Sequence, residues 1–267
     1  MPNTERVSAW SALASAAIAL MAAVASTVSA LFGVNASRDL ADTQRQDAAR
    51  TEISQYVVQM SEFDRTGGSA RRNEIVTLAR QVDSLINQYG QRELHLSAST
   101  YRLIGLFLTL STTDLELAER MARKALDLAA HLEPDSAGGM HMADPLEALQ
   151  AHRVRADVAA QNLDFPKMTR EYKASLKISE TEGGRNRYIR IEAQHFTRAY
   201  WALSAMQLVD ALGKPTAQQC NEVRYRTDWA KADFEALGKN PEIVRRANRI
   251  AKDKCGTWVD LDRLKQW

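Results

Sequence analysis

Cysteine is nearly absent: Cys220 and Cys255 are the only two in 267 residues, too few for a disulfide-stapled scaffold, and they form no CxxC or related metal-ligand spacing. In a cytosolic body they are expected as reduced thiols. In an exported body a Cys220–Cys255 disulfide becomes the natural expectation, so the pair reports on placement. Catalytic signatures are missing as well. There is no HExxH, no GxSxG and no glycine loop followed by Lys-Ser/Thr. The five histidines, His95, His131, His141, His152 and His195, are scattered without paired zinc spacing, and Asp144-Pro145 starts a helix between His141 and His152. The Gly-Gly pairs at 67–68, 138–139 and 183–184 follow no strand and read as helix stops rather than phosphate cradles. No segment alternates apolar and polar residues with period two, and no β-hairpin signal stands out, which leaves an all-α chain. Apolar residues make up 45% and charged residues 25%, the balance of a folded protein rather than a disordered one.

What is present begins with a stretch free of charge, residues 7–34, VSAWSALASAAIALMAAVASTVSALFGV. As a helix it would be about 42 Å long, more than the roughly 30 Å hydrocarbon core of a bilayer. Its large apolar residues do not keep to one face, so it reads as a transmembrane helix rather than a surface-lying one. Alanine, serine and threonine fill much of it, which weakens insertion. Two rivals remain. Val28-Ser29-Ala30 fits a signal-peptide cleavage site, giving an exported body, and a buried soluble helix is the other. Orientation follows from nearby basic residues. Arg6 precedes the stretch while Arg38, Arg45 and Arg50 follow it, so the expected arrangement is a short outside tail, residues 1–6, and a cytoplasmic body.

Residues 35–50 are polar and compatible with a helical stalk, and residues 51–267 form the body. Ile53, Tyr56, Val57, Met60 and Phe63 make the first apolar stripe. Ile75, Leu78, Ala79, Val82, Leu85, Ile86 and Tyr89 make the second, with Gly90 at its C-terminal end. Ser97 to Leu110 is apolar almost throughout, a helix buried on more than one side or a strand. Asp114, Asp144 with Pro145, and Asp164 stand as N-caps of three further helices. The first carries Ala118, Met121, Ala122, Ala125, Leu128, Ala129 and Leu132. One long helix is expected from about Arg187 to Leu212, with Ile189, Ala193, Phe196, Ala199, Tyr200 and Leu203 inward. Pro215 opens the next, Asn240-Pro241-Glu242 another, and a tail with Trp258, Leu261, Leu264 and Trp267 docks as a cap.

Within this helical body, residues Ala143 to Thr181 resemble a tetratricopeptide-repeat unit. The resemblance lies in Ala156, Asn162-Leu163-Asp164 at the turn, Phe165, Met168, Tyr172 and Ser175-Leu176. Tyr101, Ile104, Gly105 and Leu108, followed by Ala118 and Ala125, resemble the same pattern with a one-residue slip. His152 departs from it, standing where a large apolar residue is usual, as does Met168 where alanine is preferred. The resemblance covers about residues 93–181. It implies stacked antiparallel helix pairs with a concave face for a protein partner, and no catalysis or cofactor.

Charge is placed unevenly. Residues 35–184 hold 18 basic against 22 acidic side chains, whereas residues 185–267 hold 16 against 10. Arg245, Arg249 and Lys252 share one helical face, a candidate anion-binding surface for phosphates of nucleic acid or inner-leaflet lipid. No aromatic stacking platform accompanies it. The leading expectation is therefore a membrane-anchored, non-catalytic scaffold whose helical-repeat body binds a protein partner.

Overall fold

The computed structural model describes residues 40–66, 71–90, 94–134, 140–184, 186–191 and 196–236, together with 249 and 253–255. The chain divides into two compact units, residues 1–52 and 53–267. The transmembrane and tail expectations for 7–34 and 256–267 lie outside the described residues. So does most of the helix expected from 240. Among the described residues no helix is long and apolar enough to cross a membrane.

Residues 40–66 are helical (α1). In the larger unit, Ile53 and Met60 of this helix are buried, as their stripe requires. Helix α2 (Arg72–Tyr89) buries Ile75, Ala79, Val82 and Ile86, a spacing that keeps one face inward. Gly90 ends it at φ +80°, a backbone setting that costs glycine nothing, and its N–H bonds to Ile86 O.

Three helix pairs follow. The first is α3 (Ala98–Leu110) with α4 (Leu115–Ala129). The second is α5 (Pro145–Gln161) with α6 (Phe165–Glu182). After the short α7 (Arg187–Ile191) comes the third, α8 (Arg198–Ala211) with α9 (Ala217–Ala236). Within each pair the helices pack on each other across a short turn, which makes them antiparallel. Between pairs, α3 meets α5, α5 meets α8, and α4 meets α5. The stretch 97–110 is thus a helix, buried through Tyr101, Ile104, Gly105, Phe107, Leu108 and Thr109.

Local chemistry sets these boundaries. The Asp114, Asp144 and Asp164 side chains accept from the backbone N–H of Leu117, Glu147 and Lys167, relieving amides that helix N-termini leave unpaired. At α9 the cap is reciprocal. Thr216 Oγ1 accepts from Gln219 N, and Gln219 Oε1 from Thr216 N, so the helix starts there, just after Pro215.

Four expectations are corrected. A two-stranded antiparallel hairpin, β1 (Leu132–Pro134) with β2 (Met140–Met142), joins α4 to α5. Its strands are three residues each and β1 is wholly exposed, so no buried face wrote an alternating pattern into the sequence. Leu132 on this strand and Leu128 on α4 are exposed rather than core, while Leu117, left out of the predicted stripe, is buried. The long helix expected from about Arg187 to Leu212 is not among the four: 187–191 and 198–211 are helical, 196–197 form a π-type turn, and 192–195 lie outside the described residues. Tyr200 is 37% exposed rather than inward, because Trp201, Ala202, Ala205, Met206, Leu208 and Val209 occupy the core. Finally, Cys220 and Cys255 are joined by a disulfide, with Cα atoms 5.7 Å apart, and are not free thiols.

One core cluster gathers Ala156, Ala159 and Ala160 of α5, Met168 and Tyr172 of α6, the buried apolar residues of α8 and Val223 of α9. A second holds Ala129, Ala148, Leu149, Ile178 and Ile189, with Met142 of the hairpin packed against it. Alanines dominate at the crossings and let helices approach closely. Gly105 takes this furthest: a Cβ there would lie 3.1 Å from Ala118 O and 3.3 Å from Val154 Cγ1.

Candidate functional site

The C-terminal ends of α3 and α5 and the face of α8 surround a half-open cavity of about 540 Å³. Its wall includes Thr109 and Leu110 of α3, Asp157 and Gln161 of α5, and Tyr200, Leu203, Ser204 and Gln207 of α8, together with Thr112 and Leu115. Thr112 is held at φ +54°, an uncommon setting for a β-branched residue, by the tight exit from α3.

One acidic group sits in this wall. Asp157 Oδ1 accepts from Tyr172 Oη at 2.5 Å and from Ser204 Oγ, and the two hydroxyl oxygens approach to 2.8 Å. Burial pushes the Asp157 carboxyl above its usual range, with the two hydroxyl donors and the charge of Arg153 working against that rise. Tyr172 is raised for a matching reason, burial first and then the adjoining carboxylate.

The network is anchored from behind. The Tyr172 ring stacks on Trp201 at 5.4 Å and 9°. Arg226 lies over Trp201 at 3.4 Å while donating to Glu222 Oε1 at 2.7 Å. This column ties α6, α8 and α9 together and fixes Tyr172 Oη on the carboxylate. Arg153, one turn before Asp157, lies over the Tyr200 ring at 4.5 Å and is not part of the cavity wall.

One turn after Asp157, Gln161 bridges helices: its Nε2 donates to Thr109 O at 2.9 Å. A carbonyl oxygen only accepts, so the amide orientation is settled. The Gln161 Oε1 is then left buried with no hydrogen-bond donor among the described residues.

A separate seam of charge joins α4, α5 and α6. His152 Nδ1 lies 2.7 Å from Glu171 Oε2, Arg155 bonds both Glu171 Oε1 (3.2 Å) and Glu119 Oε1 (3.1 Å), and Lys167 reaches Glu119 at 3.2 Å. Burial alone would raise the Glu171 carboxyl. The His152 hydrogen bond and the charges of Arg155, His152 and Arg170 outweigh it and hold the group below its usual range. His152, the departure from the repeat pattern, is thus half-buried as the partner of a carboxylate rather than as an apolar knob.

Of the candidate anion-binding face, Arg249 is helical and exposed, while Arg245 and Lys252 lie outside the described residues. Among the described residues no cluster of His, Cys, Asp or Glu has metal-holding geometry. Asp157, Ser204 and Gln161 carried no signal in the sequence: each is an isolated polar residue in a helix, and nothing local tells that it faces a cavity rather than solvent. No protein-family model matches the chain, and no curated protein or solved structure does either.

Proposed function

We propose that the chain is a helical-repeat interaction protein of tetratricopeptide-like build that holds an extended segment of a protein partner in the groove along α3, α5 and α8. The observation that carries this reading is the cavity, whose wall comes chiefly from the first helix of each pair. Supporting it, first helices meet first helices and the second helix of one pair meets the first of the next, the contact order of a stacked repeat. Gly105, Ala118 and Ala122 supply the small residues its crossings need. The wall mixes leucine and alanine with hydroxyl and amide groups, the composition of a recognition groove. It holds one carboxylate and no histidine, which gives an acid/base pair no second member.

Placement is proposed on two grounds. Residues 7–34 tie the body to a membrane or direct its export. The Cys220–Cys255 disulfide favours a body in an oxidising compartment, reached by signal cleavage or by an anchor with the N-terminal tail inside, over the cytoplasmic placement that Arg38, Arg45 and Arg50 favour.

A photo-crosslinking residue at Gln207, exposed on the cavity wall, tests the groove in the intact cell. A discrete protein adduct is expected there and not from the exposed Lys173 on α6. Equal labelling from both positions, or none from Gln207, would remove the groove reading.

A further inference from the structure

We infer that the groove recognises a basic side chain, arginine or lysine, of its peptide partner, with Asp157 as counter-ion and Gln161 Oε1 as a second acceptor. This rests on the interaction reading above and names the chemistry of the partner.

Two independent observations converge. Both hydroxyl donors around Asp157 converge on Oδ1, so the carboxylate keeps acceptor capacity for a donor entering the cavity that it lines. Gln161 Oε1 is a buried acceptor with no donor among the described residues, and a group of that kind costs free energy until something supplies one. Asp157 and Gln161 are spaced i, i+4 on α5, so they lie side by side on one helical face. A guanidinium presents several N–H donors in a fork, and an ammonium three, enough to serve both acceptors at once.

Charge complementarity points the same way. The wall holds Asp157 and no lysine or arginine; Arg153, whose charge acts on the Asp157 carboxyl, lies over the ring of the wall residue Tyr200 without itself lining the cavity. A partner carboxylate would meet two acceptors and a negative charge, and an apolar side chain would leave Gln161 Oε1 unsatisfied. Tyr172 and Ser204 pin the Asp157 carboxylate, so little ordering remains to be done when a cation arrives.

The test is selection of random twelve-residue peptides displayed on phage against the full chain in detergent, followed by titration of the selected peptides. Groove-bound peptides are expected to share an arginine or lysine, to lose binding when it is replaced by norleucine, and to bind Asp157→Asn about tenfold more weakly or worse. Asparagine keeps the oxygen that accepts from Tyr172 and Ser204, so the variant should retain its circular dichroism and melting temperature. A variant that melts early would be replaced by the peptide-side substitution, which reads the same contact without altering the protein. Selected peptides that crosslink to Gln207 yet are neutral or acidic, and bind wild type and Asp157→Asn alike, would overturn the inference while leaving the groove intact. Failure to recover any groove-binding peptide would count against both.

Discussion

Two buried carboxylates one helix apart respond to their surroundings in opposite directions. Asp157 is raised because burial outweighs its two hydroxyl donors, and Glu171 is lowered because His152, Arg155 and Arg170 outweigh burial. The linkage signs therefore differ. Glu171 stabilises the fold fully above its ordinary value of 4.5, and that contribution is lost as pH falls through its lower native pKa. Asp157 takes up its proton more readily in the native state, so its contribution declines as pH rises from its ordinary 3.8 through the raised native value. Because the two oppose each other in acid, only variant differences separate them. Glu171→Gln is expected to lose about 3 kcal/mol at pH 7, the scale for removing one partner of a buried pair, with the deficit shrinking as pH falls below 4.5. Urea denaturation at pH 7 and in acid measures it, and a deficit unchanged by pH would assign Glu171 a packing role instead. None of this was legible beforehand. His152 and Glu171 lie on different helices, and only the fold brings them to 2.7 Å.

Helix starts were the most legible feature at the scale of elements. A side-chain cap is a local bond between residues three apart, and Asp114, Asp144 and Asp164 each make theirs. Single apolar stripes were legible too, as in α2, whose buried residues Ile75, Ala79, Val82 and Ile86 all lie on the predicted stripe, with Leu78, Leu85 and Tyr89 half-buried at its margins. α8 was misphased, since Trp201, Ala202, Ser204, Ala205, Met206, Leu208 and Val209 are buried nearly all round. Its outward face is the narrow row Tyr200, Leu203, Gln207 and Asp210, and the apolar Tyr200 and Leu203 in that row shifted the predicted stripe. Gly105 belongs between these cases: its place in the repeat-like pattern marked it as small, and the packing shows why. Replacing it by alanine raises helix propensity by about 1 kcal/mol but sets a Cβ 3.1 Å from the Ala118 carbonyl, so the two effects nearly cancel. Leucine has no such offset. Gly105→Leu is expected to lower stability by about 3 kcal/mol by forcing α3 from α4 and α5, measured as a fall in denaturation midpoint. An unchanged midpoint would mean that the crossing is looser than 3.1 Å implies.

For the molecule as a whole, the disulfide decides more than its local contacts suggest. It closes a separation of 35 residues, joining the chain around Cys255 to α9, and Cys255 packs against the core cluster shared by α5, α6, α8 and α9. Restricting the unfolded chain over that separation stabilises by about 3–4 kcal/mol on the loop-entropy estimate. The same bond would not persist against cytosolic reductants, whereas export leaves it intact. The sequence could not choose, because the expectation for the thiols hung on the orientation of 7–34, and that hung on the slim excess of Arg38, Arg45 and Arg50 over Arg6. One measurement addresses both. Trapping thiols with a maleimide-linked polymer during denaturing lysis of cells producing the native chain should leave both cysteines unmodified. Prior reduction should add two polymer additions, and Cys220→Ser should expose Cys255 to one addition without reductant. In urea, the reduced protein should unfold with its stability lower by the 3–4 kcal/mol that the cross-link contributes. Two additions without reductant would instead place the body among reducing thiols, the compartment that the arginine count after residue 34 led one to expect.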